Sequence, residues 1–229
     1  MTTTPQTLFG PAARMPTFFG TTVGKKLVMA LTGAVLFVFV VFHLLGNLLI
    51  FWGPDELNRY AEVLKALGGY IWIARLTLLA ALMLHVFCAV QLTITGWRAR
   101  PVSYSVRRDM ETNYAARTMI ISGPLIFLYA IYHLLMFTFL ATGPGYSRTD
   151  VYGNVVAAFR VPAISAVYVV AMLVLGVHLY HGVWSMLHTA GISNPGYKSV
   201  RRIVAPAVAM VIAAGYIAIP VAVLCRIVR

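Results

Sequence analysis

Long apolar stretches, each long enough to cross a bilayer as an α-helix, recur along the whole chain with short polar connections between them. Such a helix needs about 20 mostly apolar residues, and it satisfies its backbone polar groups within the segment. The pattern therefore predicts an all-α integral membrane bundle of five transmembrane helices. The predicted spans cover residues 25–52, 70–97, 117–142, 160–190 and 203–227.

The polar connections are short, so we expect one transmembrane domain over residues 1–229. Residues 1–22 carry scattered Thr, Pro and Gly, which is typical of an extended arm on the membrane surface or against a partner. After Gly53-Pro54, charged residues at helical spacings favour a short surface helix. Those residues are Asp55, Glu56, Arg59, Glu62 and Lys65. Gly143-Pro144-Gly145 is predicted to end the third span.

Composition excludes an ordinary soluble domain. Of the 229 residues, 60% are hydrophobic and 10% are charged, with a mean hydropathy of +0.83, whereas about a quarter of a soluble domain is charged. The first apolar run is far longer than the core of a signal peptide, and no small-residue cleavage site with a hydrophilic chain follows it. We therefore expect this run to be the first permanent span.

The formal net charge of +12 would suggest nucleic acid as a partner of a soluble protein, but here the basic residues lie in short connections and set orientation. Of 18 Lys and Arg residues, 11 fall on the side of the amino terminus. They are Arg14, Lys25, Lys26, Arg98, Arg100, Arg107, Arg108, Arg117, Lys198, Arg201 and Arg202. The excess predicts a cytoplasmic amino terminus and a carboxyl terminus outside.

The two cysteines, Cys88 and Cys225, both fall in apolar stretches. A structural disulfide or a cysteine-ligated metal or iron–sulfur centre therefore has no support. Both thiols are expected to be buried as small hydrophobic groups.

All six histidines lie in or at the ends of the apolar spans. Ionisable side chains inside the bilayer mark ligands, relays or substrate routes, although a single histidine is equally compatible with a structural imidazole. Four spans, however, each carry one histidine well inside the span. Because neutral imidazole is an axial ligand of haem iron, a bundle can hold a porphyrin between two of them. The predicted ligands of two b-type haems are His43, His85, His133 and His178.

The depth of these histidines follows from the helical rise of about 1.5 Å per residue. Counted from the basic ends of the spans, His43 and His133 lie roughly 24–27 Å along their helices, and His85 and His178 roughly 18–20 Å. The count predicts a His43/His133 site nearer the outer face and a His85/His178 site nearer the cytoplasm.

Small residues near the histidines would let a flat macrocycle approach the backbone, although helix packing explains them equally well. They are Gly33, Gly46, Gly123, Gly176 and Gly182. His181 is the rival of His178, three residues on and on a neighbouring face. His188, at the cytoplasmic end, is expected to contact a propionate or a quinone.

Two longer motifs resemble a known family. The first span has MALTG at 29–33 and HLLGN at 43–47, and the fourth has HLYHGVWS at 178–185 ahead of Gly191. With one histidine in each of the second and third spans, the chain resembles the five-helix, di-haem cytochrome b subunit that anchors succinate dehydrogenase and quinol:fumarate reductase in prokaryotic membranes. The resemblance covers nearly the whole chain.

The resemblance implies cofactors, partners and location. The family ligand lies four positions before the Gly of the fourth-span motif, which corresponds to His178, and the family pairs the first span with the third and the second with the fourth. Two haem b groups would connect an iron–sulfur partner subunit with a membrane quinone, menaquinone rather than ubiquinone. Dicarboxylate chemistry would belong to a further, FAD-containing partner. The location implied is the prokaryotic cytoplasmic membrane.

The chain departs from some family members at one point. Those members carry an acidic residue beside the fourth-span ligand that is credited with transmembrane proton movement. Here Gly176 and Val177 precede His178, and no Asp or Glu lies within a predicted span. Protons for a quinone are therefore expected to come from one surface.

Contacts to propionates and quinone are less sharply indicated. Arg75, Arg117 and Arg160 at span ends are candidates for propionates, against an equal case for snorkelling to the interface. The candidate quinone contacts are Asn47, Trp52, Glu56 and Arg59 near the outer site, and Trp97, Ser185 and His188 near the inner one. For each of these residues a plain interfacial role is favoured.

Two other functions stay open. The cytochrome b of a membrane hydrogenase or formate dehydrogenase uses haem and quinone with another catalytic partner. A haem-free transporter would use the histidines as a proton or metal relay. Mid-span helix breaks would favour the transporter, and only Pro124, Pro206 and Pro220 are candidates for them.

Overall fold

The structure is a computed structural model, and it describes residues 20–99, 114–142, 146–189, 191 and 198–229. In this part of the chain it contains α-helices and no strand. The helices are α1 (Thr22–Leu48), α2 (Pro54–Ala66), α3 (Gly69–Arg98), α4 (Tyr114–His133), α5 (Val151–Phe159), α6 (Pro162–Thr189) and α7 (Lys198–Leu224). The predicted surface arm and the Gly143-Pro144-Gly145 breaker fall outside the described residues, apart from 20–22.

Five helical segments are long and apolar enough to cross a membrane, which confirms the predicted all-α, multi-pass bundle. They are Thr22–Trp52, Gly69–Arg98, Thr118–Thr138, Pro162–Thr189 and Arg202–Leu224. The first includes a 3₁₀ turn at Leu49–Trp52, and the third ends in a π-helical turn at Leu134–Thr138.

Two spans end earlier than predicted. The third stops at Thr138 instead of 142, because the π turn closes with Phe139 N–H donating to Leu134 O, and Leu140 then takes a positive φ of 54°. The fifth stops at Leu224 instead of 227, where Arg226 with φ 60° reverses the chain. Cys225 is therefore exposed in this turn, and its predicted burial is wrong, whereas Cys88 is buried.

The short polar segment after the first span forms α2. Gly53 has a positive φ of 113°, and Pro54 follows in the first turn of the helix, where its missing N–H costs nothing. Asp55 and Glu56 lie in the first turn and Lys65 in the last, the arrangement that the helix dipole favours.

The helices pack in a defined order around the bundle. α1 packs against α3 and α6, α6 also packs against α4, and α7 lies along α6 and α1. In the described residues, α3 and α4 make no extended contact. The order α3, α1, α6, α4 therefore places α1 diagonally opposite α4, and α3 diagonally opposite α6.

The bundle has two unlike ends. At the capped end, which bears α2 and α5, a buried core joins Ile50, Leu57, Met136, Val155, Phe159, Tyr168, Ile219, Val223 and Val228. The amino-terminal end is the opposite one, where α1, α4 and α7 begin and α3 and α6 end. Helix α5 was not predicted from the sequence, because this short apolar segment follows polar connecting residues.

Hydrogen bonds hold α2 and α5 together over the capped end. Asn58 Nδ2 donates to Asp150 Oδ1 (3.1 Å), and Tyr152 N donates to Asn58 Oδ1 (2.9 Å). Asp150 begins α5 by accepting from Gly153 N (2.8 Å). The bond from Gly153 N–H, followed by that from Asn58, lowers the pKa of the Asp150 carboxyl, which therefore stays ionised at neutral pH.

Small residues let α7 approach α1 and α6 closely. A Cβ on Gly215 would come 2.9 Å from Leu44 Cδ2, and one on Gly176 would come 3.2 Å from Ala213 Cβ. Tyr216 O–H donates to Val40 O (2.8 Å) across the same contact. The α1–α7 interface therefore depends on the absence of a side chain at Gly215.

We predict that Gly215→Ala lowers the free energy of unfolding by about 1–3 kcal/mol, the usual cost of overpacking. The buried Leu44 side chain would have to leave its position. Thermal unfolding of the purified protein in detergent measures this effect. Gly96→Ala is the matched control, because a Cβ there meets nothing within 4 Å and alanine favours the helix. Equal melting temperatures for the two variants would contradict the prediction.

Candidate functional site

Two pairs of imidazole rings face each other across the bundle diagonals. His43 on α1 and His133 on α4 have ring centroids 5.8 Å apart and planes at 84°. His85 on α3 and His178 on α6 have centroids 6.5 Å apart and planes at 59°. The structure thus brings the four predicted ligands together in the predicted combinations.

The Nδ1 atom of His85 is held by its neighbours on α1. It lies 3.2 Å from Met29 O and 3.3 Å from Thr32 Oγ1. Since a carbonyl can only accept, the bond to Met29 O requires the proton on Nδ1. In a neutral ring this leaves the lone pair on Nε2, which is the form that binds a metal.

Hydroxyl groups hold Nδ1 of two more histidines. His133 Nδ1 lies 3.2 Å from Tyr168 Oη, and His178 Nδ1 lies 3.3 Å from Ser122 Oγ. Each hydroxyl can donate its hydrogen to a methionine sulfur: Tyr168 to Met136 and Ser122 to Met119. Both oxygens are then left to accept from the imidazoles, so that Nε2 carries the lone pair in both rings.

Aromatic rings surround the His43/His133 pair. Phe39 stacks on His43 at a centroid distance of 5.2 Å, and Tyr216 lies 6.3 Å from the same ring. Tyr129 and Phe137 lie 5.9 and 5.5 Å from His133. His43 is thus oriented by ring packing, in an apolar environment at the capped end of the bundle.

The two levels repeat along three helices at nearly the same spacing. Thr32 and His43 on α1 are eleven residues apart, as are Ser122 and His133 on α4, while Tyr168 and His178 on α6 are ten apart. Eleven residues make about three helical turns, so each pair of positions shares a face and is separated by about 16 Å along the axis. Thr32, Ser122 and Tyr168 were not singled out from the sequence, and this spacing is the signal that could have found them.

The glycines near the histidines fall into three groups. Gly46 and Gly176 serve packing, because a Cβ on them would come 2.6 Å from the Tyr60 ring and 3.2 Å from Ala213 Cβ. Gly33 lies against His85, since its Cβ would come 3.2 Å from Cε1. A Cβ on Gly123 or Gly182 would meet nothing within 4 Å. Gly182 lies one turn from His178 on the same helical face, so the helix surface one turn from His178 is open.

Three of the four predicted propionate contacts are exposed. Arg75 is exposed, with its guanidinium carbon 5.0 Å from the centroid of the Trp72 ring. Arg160 is exposed in the turn between α5 and α6, and His188 is exposed in the last turn of α6. The side chain of Arg117 is outside the described residues.

The predicted quinone contacts differ in exposure and in their hydrogen-bond partners. Asn47 donates to His43 O on its own helix (2.7 Å), and Ser185 lies 3.0 Å from His181 Nε2. The others are exposed, namely Trp52, Glu56, Arg59, Trp97 and His188.

The donor geometry fits a bis-imidazole haem. With metal–nitrogen bonds of about 2.0–2.1 Å, two axial imidazoles place their ring centroids roughly 6 Å apart, and the observed separations are 5.8 and 6.5 Å. Among the described residues, no group of three or more His, Cys, Asp and Glu side chains could hold a bare metal ion. A porphyrin needs only the two axial ligands that each pair offers, because it supplies four nitrogens itself.

Comparison of the chain with protein-family models, curated proteins and solved structures gave no match. Any functional assignment therefore depends on the residues and on the geometry described above.

We predict that Tyr168→Phe lowers the free energy of unfolding by about 1–3 kcal/mol, because it leaves the buried His133 Nδ1–H without its acceptor. Tyr180→Phe, on the same helix and without a hydrogen bond from its hydroxyl among the described residues, should change stability by less than about 0.5 kcal/mol. Thermal unfolding in detergent compares the two. A Tyr168→Phe protein as stable as Tyr180→Phe would show that the hydroxyl does not hold the imidazole.

Proposed function

We propose that this protein is the membrane-anchor cytochrome b subunit of a succinate:quinone oxidoreductase. The observation that carries the proposal is the pair of diagonal His–His contacts, with centroids 5.8 and 6.5 Å apart inside an apolar bundle. Three of the four imidazoles have Nδ1 within hydrogen-bond distance of a neighbouring helix, an arrangement that would leave Nε2 to bind a metal. The motifs of the first and fourth spans support the same family.

Each part of this chain has a definite role in the proposal. His85 and His178 hold the haem at the amino-terminal end, and His43 and His133 hold the one at the capped end. A bound haem supplies reversible one-electron transfer at its iron. Met29 O, Ser122 and Tyr168 orient three of the ligands, because a fixed Nδ1 partner sets the direction of Nε2. The apolar helices around both sites exclude water.

The proposed direction of electron flow follows from the proposed orientation. With the amino terminus in the cytoplasm, His85 and His178 would hold the haem nearer an iron–sulfur subunit, and His43 and His133 the haem nearer the outer face. The two haems would supply one-electron transfer between that subunit and a quinone, in the reverse sense for fumarate reduction. The FAD-containing partner carries the dicarboxylate chemistry. We place the complex in a prokaryotic cytoplasmic membrane with menaquinone as the lipid-soluble carrier. With no carboxylate inside the spans, quinone protons come from one surface.

The helix geometry gives little support to a transporter. Pro124 lies inside the continuous helix α4, and Pro206 and Pro220 lie inside the continuous helix α7. Transporters of the discontinuous-helix type bind their substrate where unwound segments meet at mid-membrane. Within the described residues, the helices that bear the histidines are unbroken at mid-span.

Haem content tests the proposal. The purified chain, with the subunits that accompany it, should contain two haem b per copy and give an α-band in the reduced-minus-oxidised spectrum. His85→Ala and His133→Ala should each reduce the content to one, and the double variant should be colourless, because each pair loses one axial ligand. Leu84→Ala and Leu134→Ala are matched controls, being exposed neighbours of the two histidines, and should keep both haems.

A colourless wild-type protein, or iron retained in full by the histidine variants, would overturn the proposal. The accompanying subunits discriminate among the related alternatives. A flavin-containing dicarboxylate subunit supports the proposed complex, whereas a hydrogenase or formate dehydrogenase subunit would assign the same two haems to a different enzyme.

A further inference from the structure

His181 carries a buried nitrogen whose partner is missing. Its Nδ1 atom is buried and has no hydrogen-bond partner among the described residues. Leaving such an atom unsatisfied costs about 1–3 kcal/mol, and in native proteins such atoms commonly have a bound group as partner. His181 therefore marks a place where a polar atom from outside this helix is expected.

The other ring nitrogen indicates which kind of partner is needed. Ser185 Oγ lies 3.0 Å from His181 Nε2. If the hydroxyl donates to Nε2, its hydrogen is used and the imidazole proton lies on Nδ1. The reverse arrangement would leave the hydroxyl hydrogen without an acceptor among the described residues. Nδ1–H is therefore a donor, and its missing partner is an acceptor.

His181 lies beside the His85/His178 pair, which is the inner histidine pair of the two. It lies one turn from His178 towards the amino-terminal end, next to Gly182, where a Cβ would meet nothing within 4 Å. Across the bundle, Lys25 Nζ donates to Gln91 Oε1 (3.4 Å), joining α1 to α3 on the same side of His85. Donors on α6 (His181) and on α1 (Lys25) thus both lie between the His85/His178 pair and the amino-terminal end of the bundle.

In the described part of the chain, no carboxylate lies at the amino-terminal end to accept hydrogen bonds from these donors. The chain has six Asp and Glu residues. Asp55, Glu56, Glu62 and Asp150 belong to α2 and to the start of α5, at the capped end, while Asp109 and Glu111 lie outside the described residues. Since a partly buried ammonium such as that of Lys25 favours an anion nearby, the acceptor that fits best is a carboxylate of a bound group.

We infer that His181 Nδ1–H donates to a propionate carboxylate of the haem held by His85 and His178. The inference rests on the function proposed above and assigns the propionate contact to His181 in place of Arg75, Arg160 and His188. Ser185 acts through His181 by holding its tautomer, and is a positioning residue. Lys25 supplies the counter-charge at the same end.

Redox titration of the holo-complex tests the inference. In His181→Leu, the midpoint potential of one haem should fall while that of the other stays unchanged, because a carboxylate without its donor is more fully negative and disfavours the added electron. His181→Asn should stay near the wild-type value, since the asparagine amide places an N–H donor close to the Nδ1 position. Ser185→Ala should shift the same haem in the same direction by a smaller amount.

Two controls separate this role from a structural one. His188→Leu, which changes an exposed histidine of the same helix, should leave both potentials unchanged. Reconstitution with haem dimethyl ester, whose propionates carry no charge and cannot accept as carboxylates, should make wild type and His181→Leu indistinguishable.

The outcomes distinguish failure of the proposed function from failure of the inference about His181. A wild-type complex without haem overturns the proposed function itself. Two bound haems with unchanged potentials in His181→Leu overturn only the present inference. A shift in potential that persists with the haem ester also overturns it, and would assign the acceptor to a quinone or to Asp109 or Glu111. Should His181→Leu lose the inner haem, retention by His181→Asn supports the donor role, and loss in both variants overturns it.

Discussion

An imidazole inside a bilayer must find a partner for its N–H, because no water is present in the hydrocarbon to serve as one. In this protein the partners are supplied by neighbouring helices: a backbone carbonyl for His85 and hydroxyl groups for His133 and His178. Each of these bonds uses Nδ1. The same contact that makes burial tolerable therefore also fixes the ring, and the nitrogen that it does not engage is Nε2.

These bonds also interlock the two histidine pairs. On α1, Thr32 contacts His85 of one pair, while His43 three turns away belongs to the other pair. On α4, Ser122 contacts His178 of one pair, while His133 belongs to the other. On α6 the order along the chain is the reverse, because Tyr168 contacts His133 at the capped end and His178 follows it. A shift of any of these helices along its axis would disturb both levels at once. The axial ligation that we propose needs support from outside the ligands, and the contacts of each histidine pair would supply it for the other pair.

The sequence predicted the fold because apolar length is the dominant signal in a membrane protein. The depth of the histidines also followed from it, since a helix converts residue number into distance with little error over a few turns. The hydroxyl partners were not recognised, because Ser and Thr in helices commonly bond to their own backbone, as Thr93 and Thr95 do here. Only the spacing of ten or eleven residues from a histidine distinguishes Thr32, Ser122 and Tyr168. The predicted propionate contacts of the arginines stay predictions: Arg75 and Arg160 are exposed, as a long basic side chain that reaches the interface by itself would be.

The two ends of the bundle differ in what surrounds the nearer histidine pair. At the capped end, aromatic rings and a buried apolar core enclose His43 and His133, and four carboxylates lie on the connections beyond them. At the amino-terminal end, Lys25, Gln91 and His181 offer donors, and the described chain provides no carboxylate to meet them. In the function we propose, a haem held by His85 and His178 would therefore have hydrogen-bond donors of the protein nearby, whereas one held by His43 and His133 would be enclosed by apolar groups. The same asymmetry leaves His181 Nδ1 without a partner in the described part of the chain.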